Sequence, residues 1–166
     1  MRNLLLEEIQ YKIERTPAGV WRRFVYPSGE GFGEYKSNKT LFGLPLIHYT
    51  YGKCPETGKR VVAKGILAVG KFAWGVFAIG HVSFGLIAVG QLAISLLFGL
   101  GQATSGAFAI GQLAVGVAFG LGQVATGVIA IGQFAAGKYA LAQFGIGQRV
   151  GSIETLMWML RHPSNR

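Results

Sequence analysis

Residues 80–100, GHVSFGLIAVGQLAISLLFGL, and residues 101–121, GQATSGAFAIGQLAVGVAFGL, align without a gap, and this repeat decides the fold. Within it a small residue recurs at every fifth position, with one extra residue after Ser95 and another after Gly116. The small residue is Gly at 65, 70, 75, 80, 85, 90, 101, 106, 111, 116, 122, 127, 132, 137 and 147, Ser at 95 and Ala at 142. The repeating unit is therefore four pentapeptides, or 20 to 21 residues.

The five-residue step favours a β-solenoid over helices. A helix would place successive glycines about 140° apart around its axis, so they would form no common face. Each glycine would also cost about 1 kcal/mol relative to alanine in a helix interior. In a solenoid every fifth residue occupies an equivalent bend, where Gly and Ala allow backbones to approach closely. The long apolar residue two places after each small residue is then predicted to fill the core, as at Leu67, Phe72, Phe77, Val82, Ile87, Leu92, Phe108, Leu113, Val124, Ile129 and Phe134.

A small residue followed two places later by a large apolar one resembles the pentapeptide-repeat family. The resemblance covers about half of the chain and implies a right-handed, four-sided parallel β-helix. That family usually carries Asp or Asn between the two positions, whereas this array contains neither and often has Gln. The resemblance implies a fold and says little about activity, and the acidic, DNA-mimicking role of some members disagrees with the net charge of +9.

A second interpretation of the array is a bundle of Gly-rich transmembrane helices. Between residues 65 and 148 the only charged residues are Lys71 and Lys138, so hydropathy alone favours membrane spans. Small residues between packed membrane helices usually recur about every fourth position, however, and here the step is five. The solenoid is therefore the favoured prediction, and a multi-helix integral membrane protein is the alternative.

The predicted fold class is all-β: a right-handed parallel β-solenoid of about four coils of 20 to 21 residues, with caps. Residues 1–19 are predicted to form an amphipathic helix, with Leu4, Leu5, Ile9 and Ile13 at helical spacing. Residues 20–64 are predicted to be short strands, which complete a small α/β cap. The array covers residues 65–150, and residues 151–166 are predicted to be a capping helix and tail that begins near Ser152.

The polar residues of the array follow directly after small residues. On a four-sided coil they form two ladders, with rungs at the usual strand spacing of ~4.8 Å. The ladder with the most polar neighbours is the possible interaction face, composed of His81, Gln102, Thr104, Gln123, Thr126 and Gln143. The second ladder consists of Gln91, Gln112 and Gln133. Both ladders are also explained as polar residues that only solvate an exterior position.

The remaining exterior positions are mostly aliphatic or aromatic. A soluble monomer rarely exposes a contiguous apolar patch above about 300–600 Å². The exterior is therefore predicted to face lipid, another copy of the chain, or a protein partner. Trp21, Arg22 and Arg23 are candidate anchors at a lipid interface. An ordinary strand with an exposed basic face explains these three residues equally well.

Residue types that perform chemistry are sparse. His48, His81 and His162 are far apart in the sequence, and Cys54 is the only cysteine, so neither a zinc site nor a disulfide is predicted. No acid lies between Glu56 and Glu154. We therefore predict no catalytic, metal or cofactor site. The positive charge is compatible with nucleic acid, but no recognised nucleic-acid module accompanies it.

These observations favour a non-enzymatic structural or scaffold protein that associates with a membrane. The N-terminus lacks the pattern of a signal peptide, and the basic N-terminal region is expected on the cytoplasmic side. A soluble, self-assembling oligomer or filament subunit is the first alternative. An enzyme or small-molecule carrier that uses the Gln102 and Gln123 face is the least favoured.

Overall fold

The computed structural model describes residues 10–152, and within them every regular element is a strand. The strands are β1 (Lys12–Arg15), β2 (Gly19–Val25), β3 (Gly31–Ser37), β4 (Thr40–Leu41), β5 (Leu44–Pro45), β6 (Ile47–Tyr51), β7 (Val62–Val69) and β8 (Phe72–Gly151). The all-β fold class is confirmed. Since residues 65–148 contain no helix, the multi-helix alternative is wrong. Among the described residues, a helix of membrane-spanning length and apolarity is absent.

One sheet joins the N-terminal strands to the array, in the order β1-β2-β3-β6-β7-β8. The pairs from β1 to β6 are antiparallel, and the pairs β6–β7 and β7–β8 are parallel. Strands β4 and β5 form a separate hairpin. Its turn has a positive φ at Phe42 (52°) and at Gly43 (77°), as a two-residue hairpin loop that follows the strand twist requires.

The parallel pairing sets the length of the structural repeat. In β7 and β8, Val62 pairs with Phe72 and Ala68 pairs with Ala78, which is an offset of ten residues. We call each such repeat a rung. A rung contains two pentapeptides, so the predicted coil of four pentapeptides is wrong. The 21-residue sequence repeat arises because the two extra residues, after Ser95 and after Gly116, fall on rungs two apart.

The contacts of the chain divide it into residues 1–88 and residues 89–166. In the second unit, small residues ten or eleven apart again lie against each other. A Cβ added to Gly101 would meet the carbonyl of Gly90, and one added to Gly111 would meet that of Gly101. The hydroxyl of Ser95 donates to the carbonyl of Ser105 at 2.7 Å. Glycine is required here because backbones of adjacent rungs touch.

Alanine fills the core, contrary to the prediction of large inward residues. The buried residue is the one two places before each small residue, and it is almost always Ala: 63, 68, 73, 78, 88, 93, 109, 114, 125, 130, 135 and 140. The residues on either side of it in the strand point outward, because alternate side chains face opposite sides of a sheet. Phe72, Phe77 and Phe134, all predicted core residues, are therefore exposed.

An interior lined by alanine predicts a strong asymmetry between two substitutions six residues apart. Ala130→Leu should destabilise the fold by about 2 kcal/mol, because extra methylenes in a packed core force side chains and backbone to move. Ala136→Leu, at an exposed position of the same unit, should change stability by less than about 0.5 kcal/mol. Urea unfolding of the two variants measures the difference. Equal effects would contradict a narrow core.

Two predicted caps need correction. Lys12–Arg15 forms strand β1 and pairs with β2, because its side chains find cross-strand partners there, so the helix predicted over residues 1–19 is wrong for its described part. Leu4, Leu5 and Ile9 lie outside the described residues. The C-terminal capping helix finds no support: Gly151 still belongs to β8, and residues 153–166 lie outside the described range.

Candidate functional site

The outer surface of the second unit, formed by residues 89–151 of β8, carries large apolar side chains in place of the usual polar ones. In the second unit Leu96, Val117 and Ile146 are exposed to 76%, 75% and 78%. Other exposed side chains of this unit are Leu92, Ile94, Leu97, Leu100, Phe108, Leu113, Val115, Leu121, Val124, Val128, Ile129, Phe134, Tyr139, Phe144 and Val150. We call this surface the apolar wall. Between residues 89 and 148 its only charge is Lys138.

A single polar row runs along the second unit. Gln residues follow directly after the small residue on six successive rungs, and all six are exposed: Gln91, Gln102, Gln112, Gln123, Gln133 and Gln143. We call them the Gln row. The sequence predicted two ladders, and they merge into one because a rung has ten residues and not twenty. Half a rung away, the equivalent positions Leu96, Ala107, Val117 and Val128 are apolar.

Two members of the predicted interaction face, His81 and Thr104, do not belong to the Gln row. His81 belongs to the first unit, where its side chain is exposed. Its backbone N–H donates to the backbone carbonyl of Lys71 at 3.1 Å. Thr104 is only 4% exposed, and its Oγ1 has no hydrogen-bond partner among residues 10–152. It occupies an inward position that is Ala on most rungs, and Gly99 makes room for it. Thr104 is therefore a core residue, whereas Thr126 stays half-buried beside the row.

The three candidate anchors are on opposite faces of β2. Trp21 and Arg23 share one face, where the Arg23 guanidinium stands 4.6 Å above the Trp21 ring. Arg22 points to the other face and donates to Glu34 from Nε at 3.1 Å and from Nη2 at 2.7 Å. Since Arg22 is committed to this buried carboxylate, only Trp21 and Arg23 remain available for an interface.

The sequence analysis missed a buried network around Glu34. Its Oε2 accepts from Arg22, and its Oε1 accepts from Lys36 Nζ at 2.9 Å and from His48 Nε2 at 3.1 Å. The pKa of Glu34 falls to about 2, first because His48 donates to it and then because of Lys36 and Arg22, while burial acts in the opposite direction. The carboxylate therefore stays ionised and joins β2, β3 and β6.

His48 connects this network to the alanine core. Its Nδ1 accepts the backbone N–H of Lys64 at 2.8 Å, so its Nε2–H is free to donate to Glu34. In the sheet, His48 pairs with Ala68, which in turn pairs with Ala78. Paired residues share a face, so the ion network and the buried alanines of the first unit lie on the same side. The network closes one end of this core.

Tyr11 and Cys54 complete the cluster. The hydroxyl of Tyr11 lies 3.8 Å from Cys54 Sγ, and the Arg22 guanidinium stands 4.7 Å from the Tyr11 ring centre. Burial, followed by the Glu56 and Cys54 side chains, raises the pKa of Tyr11. Cys54 is itself buried. Across residues 10–152, no group of three His, Cys, Asp or Glu side chains is arranged to hold a metal ion.

The cluster joins β2, β3 and β6 through the Glu34 carboxylate, and the distinctive surface of the second unit is the apolar wall with its Gln row. The sequence signal for the wall was present in the near-absence of charge from residue 65 to residue 148. The likeness to the pentapeptide-repeat family stays a prediction. Comparison of the chain with protein-family models, with curated proteins and with solved structures finds no match.

Proposed function

We propose that this chain is a non-enzymatic scaffold whose β-solenoid associates with a membrane through the apolar wall. The observation that carries the proposal is the inversion of side-chain size. Alanine occupies the interior, while Leu, Ile, Val and Phe occupy the exterior. A water-soluble monomer rarely exposes a contiguous apolar patch above about 300–600 Å². A chain that keeps them outside needs an apolar surrounding.

The energetic balance supports lipid as that surrounding. Complete burial of a Leu, Ile, Val or Phe side chain contributes about 1.5–3 kcal/mol. Eighteen such or similar large side chains of the second unit are more than a third exposed. Transfer of even a third of them into hydrocarbon therefore gives a free energy comparable to the whole stability of a small domain, about 5–15 kcal/mol.

The backbone arrangement is also suited to lipid. Hydrocarbon contains no water, so backbone N–H and C=O groups there must be paired within the protein. Residues 62–69 of β7 pair in this way with residues 72–79 of β8, one rung further on, and β8 continues as strand to Gly151. The outer side of such a wall presents side chains only. The ends of a solenoid expose unpaired backbone and belong near water.

Flotation of the purified chain with vesicles tests the proposal. The chain is moved from mild detergent into phosphatidylcholine vesicles that contain some phosphatidylglycerol, and it is then centrifuged in a density gradient. We expect it to rise with the lipid at low and at high salt, because burial of apolar surface is insensitive to screening. A monodisperse, lipid-free protein that remains at the bottom in detergent-free buffer would overturn the proposal.

The Gln row favours self-association as a second function. Each side-chain amide has donors and an acceptor, so a row of amides is complementary to the same row on another copy. Such symmetric contacts are typical of homodimers. Beside an apolar wall, pairing of two rows would also remove six polar side chains from contact with lipid. The scaffold would then assemble through the Gln row and meet lipid through the wall.

Cysteine crosslinking tests the self-association. In a Cys54→Ser background, Gln112→Cys should form a disulfide-linked dimer in vesicles under mild oxidation, because paired rows bring the two positions close. Val117→Cys, half a rung away and exposed to 75%, is the matched control and should crosslink poorly. Non-reducing gels measure both variants. Equal crosslinking, or a stronger reaction at position 117, would contradict pairing through the Gln row.

A further inference from the structure

One face of the sheet in the first unit carries a row of aromatic side chains. Trp21 pairs with Tyr35, and Tyr35 pairs with Tyr49. Directly paired residues point to the same side of a sheet. The ring centres of Trp21 and Tyr35 are 5.1 Å apart, and those of Trp21 and Tyr49 are 5.9 Å apart. The row continues without interruption into the array, because Tyr49 pairs with Val69, which pairs with Ile79.

The neighbouring row of the same face begins with positive charges. Lys12 pairs with Arg23, Arg23 with Gly33, and Gly33 with Tyr51. The Tyr51 ring covers Gly33, where a Cβ would overlap it. Glu14 lies beside the two cations, 3.3 Å from Lys12 Nζ and 3.7 Å from Arg23 Nη1. The outer edge of this face therefore has two positive groups and one negative group, a net charge of 2 − 1 = +1.

The third row is apolar at β6, β7 and β8, since Ile47 pairs with Leu67, and Leu67 pairs with Phe77. The chemical character of the side chains on this face thus changes progressively from β1 to β8. It is ionic at β1 and β2, aromatic and phenolic at β2, β3 and β6, and apolar at β7 and β8. This sequence of side chains matches the order met on entering a bilayer, from headgroups through the interface, where Trp and Tyr concentrate, to hydrocarbon.

The dimensions of the aromatic zone agree with this order. Adjacent strands are about 4.8 Å apart, so β2 to β6 covers about 10 Å. The headgroup region on each side of a bilayer is about 5–8 Å thick. The opposite face of these strands cannot contact lipid, because it holds the buried Glu34 carboxylate with Arg22 and His48.

We propose that this face is an interfacial belt that orients the first unit in the membrane. Trp21, Tyr35 and Tyr49 lie among the headgroups, and the apolar part of this face, formed by Leu67, Val69, Phe77 and Ile79, enters the hydrocarbon. The partner is the bilayer itself. The mixed charge of Lys12, Arg23 and Glu14 suits headgroups that carry both signs. This inference rests on the proposed membrane association, and it adds the orientation of the first unit relative to the bilayer.

Depth-dependent fluorescence quenching tests the orientation. The chain contains three tryptophans, Trp21, Trp74 and Trp158, so single-tryptophan variants are straightforward. The first retains Trp21 in a Trp74→Phe, Trp158→Phe background. The second removes all three by Phe substitution and adds Ile79→Trp, at an exposed apolar position of the same row. Both are reconstituted into phosphatidylcholine vesicles with bromine atoms near the headgroup or deep in the acyl chain.

The expected pattern is a crossover. The indole at position 21 should be quenched at least about twofold more strongly by shallow than by deep bromines. The indole at position 79 should show the reverse, since β2 is separated from residue 79 of β8 by four strand spacings, about 19 Å of sheet. An aqueous quencher should also reach position 21 and not position 79. Circular dichroism confirms that both variants remain β-rich.

Other outcomes separate this inference from the function on which it rests. If the variants bind vesicles but both positions are quenched equally, the orientation is wrong while membrane association stands. If neither variant binds vesicles, both proposals fall. Binding of a fluorescent single-stranded oligonucleotide is measured as well, because nucleic-acid bases also stack on aromatic side chains. Tight oligonucleotide binding that Trp21→Ala abolishes, with vesicle binding unaffected, would assign the face to nucleic acid and overturn the belt.

Discussion

Introducing two lysines on the apolar wall should release the chain from vesicles. Leu96 and Val117 are exposed to 76% and 75% and lie at the same place on rungs two apart. A lysine on the lipid-facing side of a β-structure costs about 2–4 kcal/mol near the middle of a bilayer. The double variant Leu96→Lys with Val117→Lys should therefore weaken membrane binding by about 4 kcal/mol or more, and it should remain at the bottom of the flotation gradient.

A control of equal charge separates the wall from a general effect of lysine. Ser28→Lys with Thr57→Lys adds the same two charges at exposed positions of the N-terminal sheet region, outside the array. This variant should float as the wild type does. Circular dichroism must show that both variants keep their strands, because exposed positions tolerate lysine without loss of the fold. If the Leu96→Lys, Val117→Lys variant still floats with the vesicles, the apolar wall is not the surface that contacts the membrane.

The pattern of small residues predicted the strands but left the length of a rung open. A five-residue step is compatible with two or with four pentapeptides per rung, because each pentapeptide ends at an equivalent bend. The deciding signal was present in the alanines two places before each glycine, at residues 63, 68, 73 and 78. A four-sided interior needs large residues to reach the packing density of protein cores. Alanine at almost every inward position fits only a narrow interior.

The arrangement of the Gln row depends on the number of pentapeptides in a rung. With four pentapeptides per rung, Gln91, Gln112 and Gln133 belong to a different side from Gln102, Gln123 and Gln143. With two, all six fall into one row. The identity of the polar residues could thus be predicted from sequence. Their arrangement depends on the pairing register between adjacent rungs, and the 21-residue sequence repeat spans two rungs instead of one.

The Glu34 network was beyond sequence analysis for a different reason. Its members come from β2, β3 and β6, and they meet only through the registers Arg22 with Glu34 and Lys36 with His48. Between β6 and β7 the pairing offset is twenty and not ten residues, because residues 52–61 loop out of the sheet. No periodicity covers this region, so nothing in the sequence fixes which acid meets which base.

Loss of the Glu34 carboxylate should be the most damaging change in the N-terminal sheet. Glu34→Ala leaves Arg22, Lys36 and His48 around a buried site without their common acceptor. Removal of one partner from a buried ion pair typically costs about 3–5 kcal/mol. Chemical unfolding in mild detergent at pH 7 measures the loss. A matched control is Glu30→Ala, which removes an exposed carboxylate and should change stability by less than about 0.5 kcal/mol.

The same carboxylate should make the fold sensitive to acid. The pKa of Glu34 falls from its ordinary value of 4.5 to about 2 in the folded chain, so the unfolded chain binds a proton more readily. The stabilisation is therefore complete above pH 4.5 and is lost as the pH falls from 4.5 towards 2. With about 1.4 kcal/mol for each unit of pKa, the loss amounts to about 3 kcal/mol.

Glu34→Gln isolates this acid response from the other acids. The amide has nearly the same shape but no charge, so the variant should be less stable than the wild type at pH 7 and nearly as stable at pH 2.5. The two unfolding curves should thus converge on acidification, whereas Glu30→Gln should follow the wild type throughout. A constant gap between wild type and Glu34→Gln from pH 7 to pH 2.5 would mean that the Glu34 carboxylate is not the group that the folded chain holds ionised.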